Sequence, residues 1–319
     1  MKLTVIGCGR WGTFLAWYLD RLGHAVTLYG REGSARMRRL LEEHKNDLLT
    51  LPESVRLTTS LAEAVEAETI VISIGSQNLQ GLMNQLAARG VWDKTVVLCM
   101  KGLEADTGRR LTEIVRDTLD ATNRVAVWLG PGHVQEFTAG VPNCMVIDSA
   151  DSALKETLAD AFAGDLIRFY YGEDLLGNEI GAAAKNVIGI AAGMLDGLSL
   201  TTLKGALMSR GTREVARLIA AMGGNELSAY GLCHLGDYEA TVFSRHSQNR
   251  RFGEAFVRGE PYDKLAEGYY TVRALLTLGT QYGVELPICE AVHSILFEGR
   301  EPRSALDALF KRERKRELK

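Results

Sequence analysis

Short, nearly unbroken apolar runs alternate with amphipathic stretches through the first half of the chain. Residues 2–6 (Lys-Leu-Thr-Val-Ile) form the first run, and Phe14, Leu15, Tyr18, Leu19 and Leu22 follow at helical spacing. Further runs at 25–29, 69–74, 95–100, 124–129, 144–147 and 166–170 predict strands. Runs apolar on both faces and separated by helices predict a parallel sheet covered on both sides. In such sheets ligands bind at the carboxyl ends of the strands, and Gly75, Lys101 and Gly130 fall there. Beyond about residue 171 the pattern changes. Helical periodicity dominates at 178–193, 203–222, 267–282 and 288–297, and no further strand is expected.

The first run ends in Gly7-Cys8-Gly9-Arg10-Trp11-Gly12, a GxGxxG spacing with a strand before it and a helix after it. Gly7 allows the tight turn, Gly9 lets a pyrophosphate approach the backbone, and Gly12 lets the helix lie close to the sheet. The amides and positive dipole end of that helix then hold the phosphates. The expected fold is therefore α/β: a Rossmann-type, doubly wound, mainly parallel sheet over residues 1–172, followed by an all-helical domain over 173–319.

Composition narrows the function classes. A formal charge of -3 over 319 residues gives no electrostatic case for nucleic acid or a membrane surface. The longest apolar stretch, 188–195, contains Gly189 and Gly193 and is too short to span a bilayer. The chain enters a strand at once, with no secretory pattern. Cys8, Cys99, Cys144, Cys233 and Cys289 are scattered and form no CxxC pair, which suits reduced thiols and a cytoplasmic location. The histidines are equally dispersed, so no metal site is expected. The Lys- and Arg-rich tail at 311–319 reads as a solvated helix end.

After the second strand an NAD enzyme of the common type carries an acid for the adenosine ribose. Here Arg31 stands at that place, with Arg36, Arg38 and Arg39 close behind. A guanidinium suits a 2′-phosphate. NADP(H) is favoured and NAD(H) is possible, since Arg31 stacked on adenine would serve both and the adjacent Glu32 argues for NAD.

The segment 181–193 is small or apolar all round, the pattern of a buried helix. Lys185 and Asn186 interrupt it. Burying a lysine is costly unless something needs it, and desolvation lowers its proton affinity towards the range for proton transfer. Ketone reduction by a dihydronicotinamide requires a proton for the new alkoxide, which Lys185 could donate while Asn186 orients the substrate. The alternative is a lysine that snorkels to the surface. A third segment, 236–253, packs hydroxyls, amides and arginines into one predicted loop, suited either to a small phosphorylated substrate or to solvent.

In sum these motifs make the chain resemble the soluble bacterial NAD(P)-dependent glycerol-3-phosphate dehydrogenases, nearly end to end. The resemblance rests on the glycine turn with Trp11 and Thr13, Lys101-Gly102-Leu103-Glu104, Gly130-Pro131, Gly181-Ala182 with Lys185-Asn186, Ser209-Arg210-Gly211, Leu235-Gly236-Asp237, residues 249–253 and Glu267-Gly268. It implies a Rossmann domain, a helical domain of the 6-phosphogluconate dehydrogenase C-terminal-like kind, and a homodimer. It implies interconversion of dihydroxyacetone phosphate and sn-glycerol 3-phosphate for glycerophospholipid synthesis. By the same resemblance Lys185 is the proton donor and acceptor, with Asn186 beside it, and Lys101 meets both cofactor and substrate. Gly130, Asp237, Thr241, Ser247, Gln248 and Asn249 meet the substrate. Gly7, Gly9, Arg10, Trp11, Gly12, Arg31, Val134, Gln248 and Glu267 meet the cofactor. One departure concerns the substrate: the family usually carries arginine where this chain has Gln248. Arg245, Arg250 or His133 is the expected replacement cation. A related dehydrogenase of another small hydroxy acid or phosphorylated ketone, or a weakly catalytic dinucleotide-binding regulator, is the alternative.

Overall fold

The computed structural model describes residues 1–314, 316 and 317. The chain forms two compact units. The first comprises Met1–Met100 and Leu111–Leu175, the second Lys101–Arg110 and Leu176–Lys319. A single cut at residue 172 places the segment Lys101–Arg110 with the first unit, whereas it packs with the second.

In the first unit, β1 (Lys2–Ile6), β2 (Ala25–Tyr29), β3 (Arg56–Thr58), β4 (Thr69–Ile72), β5 (Thr95–Leu98), β6 (Arg124–Leu129), β7 (Asn143–Asp148) and β8 (Ile167–Tyr171) form one sheet of order β3-β2-β1-β4-β5-β6-β7-β8. Every pair is parallel except β6–β7, so β7 and β8 run against the others. Valine and isoleucine runs encode burial, not direction. The reversal follows from the connection: α6 there has only five residues. It rises about 7.5 Å, too little to carry the chain back along a strand of about 20 Å. The remaining helices of this unit are α1 (Arg10–Arg21), α2 (Ala35–Glu43), α3 (Leu61–Ala64), α4 (Leu79–Ala87), α5 (Leu111–Thr118), α6 (Val134–Thr138) and α7 (Ser152–Phe162). Phe14 stacks on Tyr18 and Phe137, and Trp128 on Phe162, at the centre of the apolar core.

The second unit contains α8 (Leu175–Gly197), α9 (Lys204–Ala221), α10 (Gln248–Arg258), α11 (Glu267–Tyr282), α12 (Pro287–Phe297) and α13 (Pro302–Phe310). The stretch 177–195 of α8 is buried without interruption, as its composition predicts. The segment 236–253 is not one loop. It is a 3₁₀ turn (Leu235–Asp237), a π-helical turn (Glu239–Phe243), a tight turn, and then α10. Only Gly253 and Ala255 of α10 are buried, so it carries no wide apolar stripe to betray it. Its ends were legible: Ser247 caps the N-terminus and Gly259 turns the C-terminus at φ +69°. Lys311 caps the C-terminus of α13, and the described residues past it are exposed and non-helical; Lys315, Leu318 and Lys319 lie outside the described residues. Among the described residues no helix is long and apolar enough to cross a membrane.

Candidate active site

The chain leaves β1 through Gly7, where φ is +118° and an added Cβ would lie 2.1 Å from the Ser73 carbonyl oxygen. Gly12 is packed as tightly, its added Cβ falling 1.8 Å from the Gly7 carbonyl oxygen. Gly9 differs. The nearest neighbour of a Cβ there is an Arg36 guanidinium nitrogen at 3.9 Å. Two glycines thus close the turn while the third fronts open space at the N-terminus of α1, which fits a dinucleotide pyrophosphate. The turn lies where strand order reverses, since β1 pairs with both β2 and β4. Arg10, Arg31 and Arg36 are exposed, whereas Arg39 is engaged by Glu43 and Asp47. The Trp11 ring packs on Phe14 and Phe137 at 5.1 and 6.1 Å. Val134 is buried in the core, so only its backbone is available to a cofactor.

The second unit builds a separate polar cluster on α8. Gly181, Lys185, Gly189, Gly193 and Gly197 recur every four residues and share one helix face. Each glycine admits a neighbour. An added Cβ would lie 3.0 Å from His234 Cβ at Gly181, and 2.7 Å from Thr241 Cγ2 at Gly189. At Gly193 it would lie 1.8 Å from the Arg250 carbonyl oxygen, and at Gly197 2.3 Å from a Val257 methyl. Residues 234–257 can therefore pack along this face both before and after Lys185.

Lys185 does not snorkel; it is 7% exposed. Its Nζ lies 2.7 Å from Asp237 Oδ2 and donates to Thr241 Oγ1 at 2.7 Å. Lys101 Nζ also donates to Asp237 Oδ2, again at 2.7 Å. Two ammonium groups thus share one carboxylate oxygen, and the cluster carries net positive charge. The other oxygen, Asp237 Oδ1, is buried and finds no partner among the described residues. Burial lowers Lys185 from the ordinary 10.5 to about 8; Lys101 pushes the same way and Asp237 opposes them. An ammonium has three hydrogens, so one remains for a substrate oxygen.

Behind the cluster, His234 Nδ1 meets the Gly181 carbonyl oxygen at 2.8 Å and its Nε2 meets Tyr238 Oη at 2.7 Å. Burial holds the imidazole down at about 4, neutral, so it adds no third cation. In front, Asn186 Nδ2 donates to the Lys101 carbonyl oxygen at 2.7 Å and Asn186 Oδ1 accepts from Asn249 Nδ2 at 2.9 Å. Asn249 Oδ1 in turn accepts from the Gly268 amide at 2.9 Å.

The fold brings Lys101, Lys185, Asn186, Asp237, Thr241 and Asn249 together although they span much of the chain. Asn186, read from sequence as a substrate-orienting group, spends its amide bracing Lys101 and Asn249. Ser247 is the N-cap of α10 and accepts from the Arg250 amide at 3.3 Å. Gln248 Oε1 accepts from Tyr262 Oη at 2.6 Å and its Nε2 donates to the His246 carbonyl oxygen at 3.2 Å. Arg250 is committed to Asp196 at 2.6 Å and to the Ser244 carbonyl oxygen at 3.2 Å, which removes it as the replacement cation. Arg245 is exposed in the turn before α10. Glu267 begins α11, and Gly130 directly follows β6 in the first unit at φ +123°. Sequence reading missed Tyr262 and His234. Neither sits in a recognisable motif, and each acquires its role only through partners that folding supplies.

A Rossmann-type unit with an open glycine turn, followed by a helical unit bearing a buried lysine on a shared carboxylate, defines a dinucleotide-dependent oxidoreductase. A family model described as the NAD-dependent glycerol-3-phosphate dehydrogenase N-terminus matches residues 2–155, and one described as its C-terminus matches residues 174–307. The chain belongs to the NAD-dependent glycerol-3-phosphate dehydrogenase family. It is 38% identical to glycerol-3-phosphate dehydrogenase [NAD(P)+] of Thiobacillus denitrificans, covering 98% of each chain. It is 34% identical to the protein of that name from Chlorobium phaeobacteroides, over 100% of this chain and 99% of that one. The crystal structure of glycerol-3-phosphate dehydrogenase from Coxiella burnetii superposes with a TM-score of 0.90 at 30% identity, covering 98% of this chain and 99% of that one. A ketopantoate reductase from Ralstonia eutropha shares the fold at 15% identity, with a TM-score of 0.64 over 97% of this chain and 99% of that one.

Proposed function

We propose that this protein interconverts dihydroxyacetone phosphate and sn-glycerol 3-phosphate, with Lys185 as the group that gives and takes the proton. The observation that carries this reading is the buried Lys185 ammonium, 2.7 Å from Asp237 and with proton affinity lowered to about 8. Gly7, Gly9, Gly12 and the first turn of α1 would hold the dinucleotide, which supplies the hydride when bound. The protein's own task is the proton. In the reducing direction Lys185 Nζ–H passes its proton to the carbonyl oxygen, and the amine left behind is neutral. In the oxidising direction that amine accepts the hydroxyl proton. Asp237 keeps enough proton affinity in Lys185 for it to be an ammonium near neutral pH, and Lys101 keeps that affinity from rising too far. The unpartnered Asp237 Oδ1 suits a substrate hydroxyl as donor.

The phosphate of the substrate is read by the N-terminus of α10, where Ser247 fixes the first turn and the dipole favours an anion. Arg245, in the preceding turn, supplies the cation that Gln248 lacks. The exposed Arg31 and Arg36 beside the open glycine turn support NADP(H), and NAD(H) fits the same turn. We further propose a homodimer in the cytoplasm, feeding glycerophospholipid synthesis.

One observation favours a second reading. Gln248 is tied to Tyr262, so no charge stands at that place, and a substrate other than a phosphate ester would be tolerated there. The test is NADPH and NADH absorbance with dihydroxyacetone phosphate, beside a panel of unphosphorylated hydroxy acids and ketones. Turnover of dihydroxyacetone phosphate that falls by ~10²–10⁴ in Lys185→Met is the expected result. Full turnover in that variant, or turnover of the panel alone, refutes the proposal.

A further inference from the structure

Lys101 sits at the start of a segment that departs from the first unit after Met100 and returns at Leu111. What fixes it against α8 is a small clasp. Leu103 and Arg110 pair as an antiparallel bridge, and the Glu104 amide donates to the Arg109 carbonyl oxygen at 3.0 Å. Leu103 is fully buried in the second unit's core. Gly108 turns the segment at φ +76°, where an added Cβ would lie 2.8 Å from Leu278. Both ends of the clasp are gripped by one face of α8. Asn186 holds the Lys101 carbonyl oxygen at 2.7 Å. Two turns earlier, Glu179 Oε2 accepts from Arg110 Nη1 at 3.1 Å, and these side chains are only 5% and 12% exposed.

A buried ion pair is weak evidence for stability, because desolvation offsets most of the attraction. This pair has a geometric consequence instead. The segment is closed by its own bridge, so a pull at Arg110 is felt at Lys101. We infer that Arg110 and Glu179 are positioning residues of the proton-transfer site, holding the Lys101 ammonium on Asp237 without touching substrate. The inference rests on the role given to Lys185 above.

The titratable groups facing Lys185 are Asp237, Lys101 and His234, the last of them neutral. Lys101 is the only one of them that the clasp carries. When the clasp slackens, Lys101 withdraws, its repulsion on Lys185 is lost, and Asp237 is left to Lys185 alone. Both changes raise the proton affinity of Lys185.

The experiment uses Glu179→Gln, which keeps an acceptor, and Arg110→Met, each made in the full chain with and without Lys101→Met. Two readouts are followed: the pH profile of dihydroxyacetone phosphate reduction, and trace acetylation of Lys185 against pH in the protein alone. The expected result is an alkaline midpoint moved upward by about one pH unit in Glu179→Gln, the tenfold change that loss of a neighbouring cation produces. In the Lys101→Met background the same substitution adds nothing. If Glu179→Gln lowers the melting temperature and leaves the Lys185 midpoint in place, the pair is merely structural and the inference is overturned. It is equally overturned if the midpoint moves by the same amount without Lys101. Because acetylation reads Lys185 directly, a protein that turns over no dihydroxyacetone phosphate would defeat the proposed function and still decide this question. Should Glu179→Gln fail to fold, Arg110→Met with Glu179→Leu, an uncharged pair, is expected to give the same shift.

Discussion

Gly193→Ala should damage this enzyme far more than its single methyl group suggests. The added Cβ would sit 1.8 Å from the Arg250 carbonyl oxygen, 2.7 Å from its carbonyl carbon and 2.9 Å from the Glu254 amide nitrogen. All three atoms belong to the backbone of α10, so no side chain can swing aside. Ordinary contact begins near 3.4 Å, and in a close-packed interior the two helices must therefore part by roughly 1.5 Å. Asn249 immediately precedes Arg250, and its Nδ2 lies 2.9 Å from Asn186 Oδ1. A displacement of that size takes the pair beyond hydrogen-bond range, and the bond from the Gly268 amide goes with it. Overpacking of this kind costs ~1–3 kcal/mol, or roughly 2–4 °C in Tm for each kcal/mol in a unit of this size. Misplacing a substrate-positioning group by about 1 Å costs on the order of 10²-fold, expected here in kcat/KM for dihydroxyacetone phosphate. Nucleotide absorbance and thermal unfolding measure the two effects. Gly205→Ala is the control. It lies on α9 with nothing within 4 Å of the new Cβ, so activity should hold and stability should rise by up to about 1 kcal/mol. A Gly193→Ala protein that matches the parent in both kcat/KM and Tm would refute the close-packing argument.

Four further outcomes are expected. Reduction needs the Lys185 ammonium, so its rate should fall as pH rises through about 8, while oxidation, which needs the amine, should rise there; parallel profiles in the two directions would contradict this. Because the folded value lies below the unfolded 10.5, the unfolded chain binds the proton more tightly, and Lys185 makes stability increase with pH between about 8 and 10.5. Glu214 is opposite in sign. Burial lifts its carboxyl from 4.5 to about 7, although the Ile288 and Cys289 amides favour the anion. Its contribution to stability is therefore present below 4.5 and lost as pH rises through 7, so Glu214→Gln should flatten Tm against pH across that window, and an unaltered slope would assign the effect elsewhere. Arg245→Ala should raise KM for dihydroxyacetone phosphate ten- to hundred-fold, the equivalent of a charged hydrogen bond worth ~1.5–3 kcal/mol, with Tm unmoved; an unchanged KM would remove Arg245 from the phosphate site.

Much of the fold was legible because its signals are local. A Val/Ile run is buried on both faces wherever it lies, and β1, β2 and β6 fall at the expected residues. Strand direction is not a local property. β7 reverses because the helix before it is too short to bring the chain back, and a count of apolar residues carries no such information. β3, with three residues, offers too short a run to register. α10 escaped for a different reason. It meets α8 through backbone at Gly253, where an added Cβ would lie 2.1 Å from the Ile190 carbonyl oxygen. A helix that packs through glycine needs few large apolar residues, and so lacks the stripe by which helices are recognised.

The site divides along the same line. That Lys185 is buried follows from its alanine and glycine neighbours, and so does the downward direction of its proton affinity. The extent of that shift does not. Burial lowers the affinity most, Asp237 raises it and Lys101 lowers it again, and both partners reach Lys185 from distant stretches of chain. The glycines at 181, 189, 193 and 197 are what let residues 234–257, Asp237 among them, approach, since each stands where a methyl group would meet that stretch. Their four-residue spacing through Lys185 was visible in the sequence, where it read only as smallness. Read as a helix face, it marks the side of α8 on which the partners must lie. A bulky residue four positions from Lys185 would hold residues 234–257 away from it, and with them the Asp237 carboxylate that raises its proton affinity.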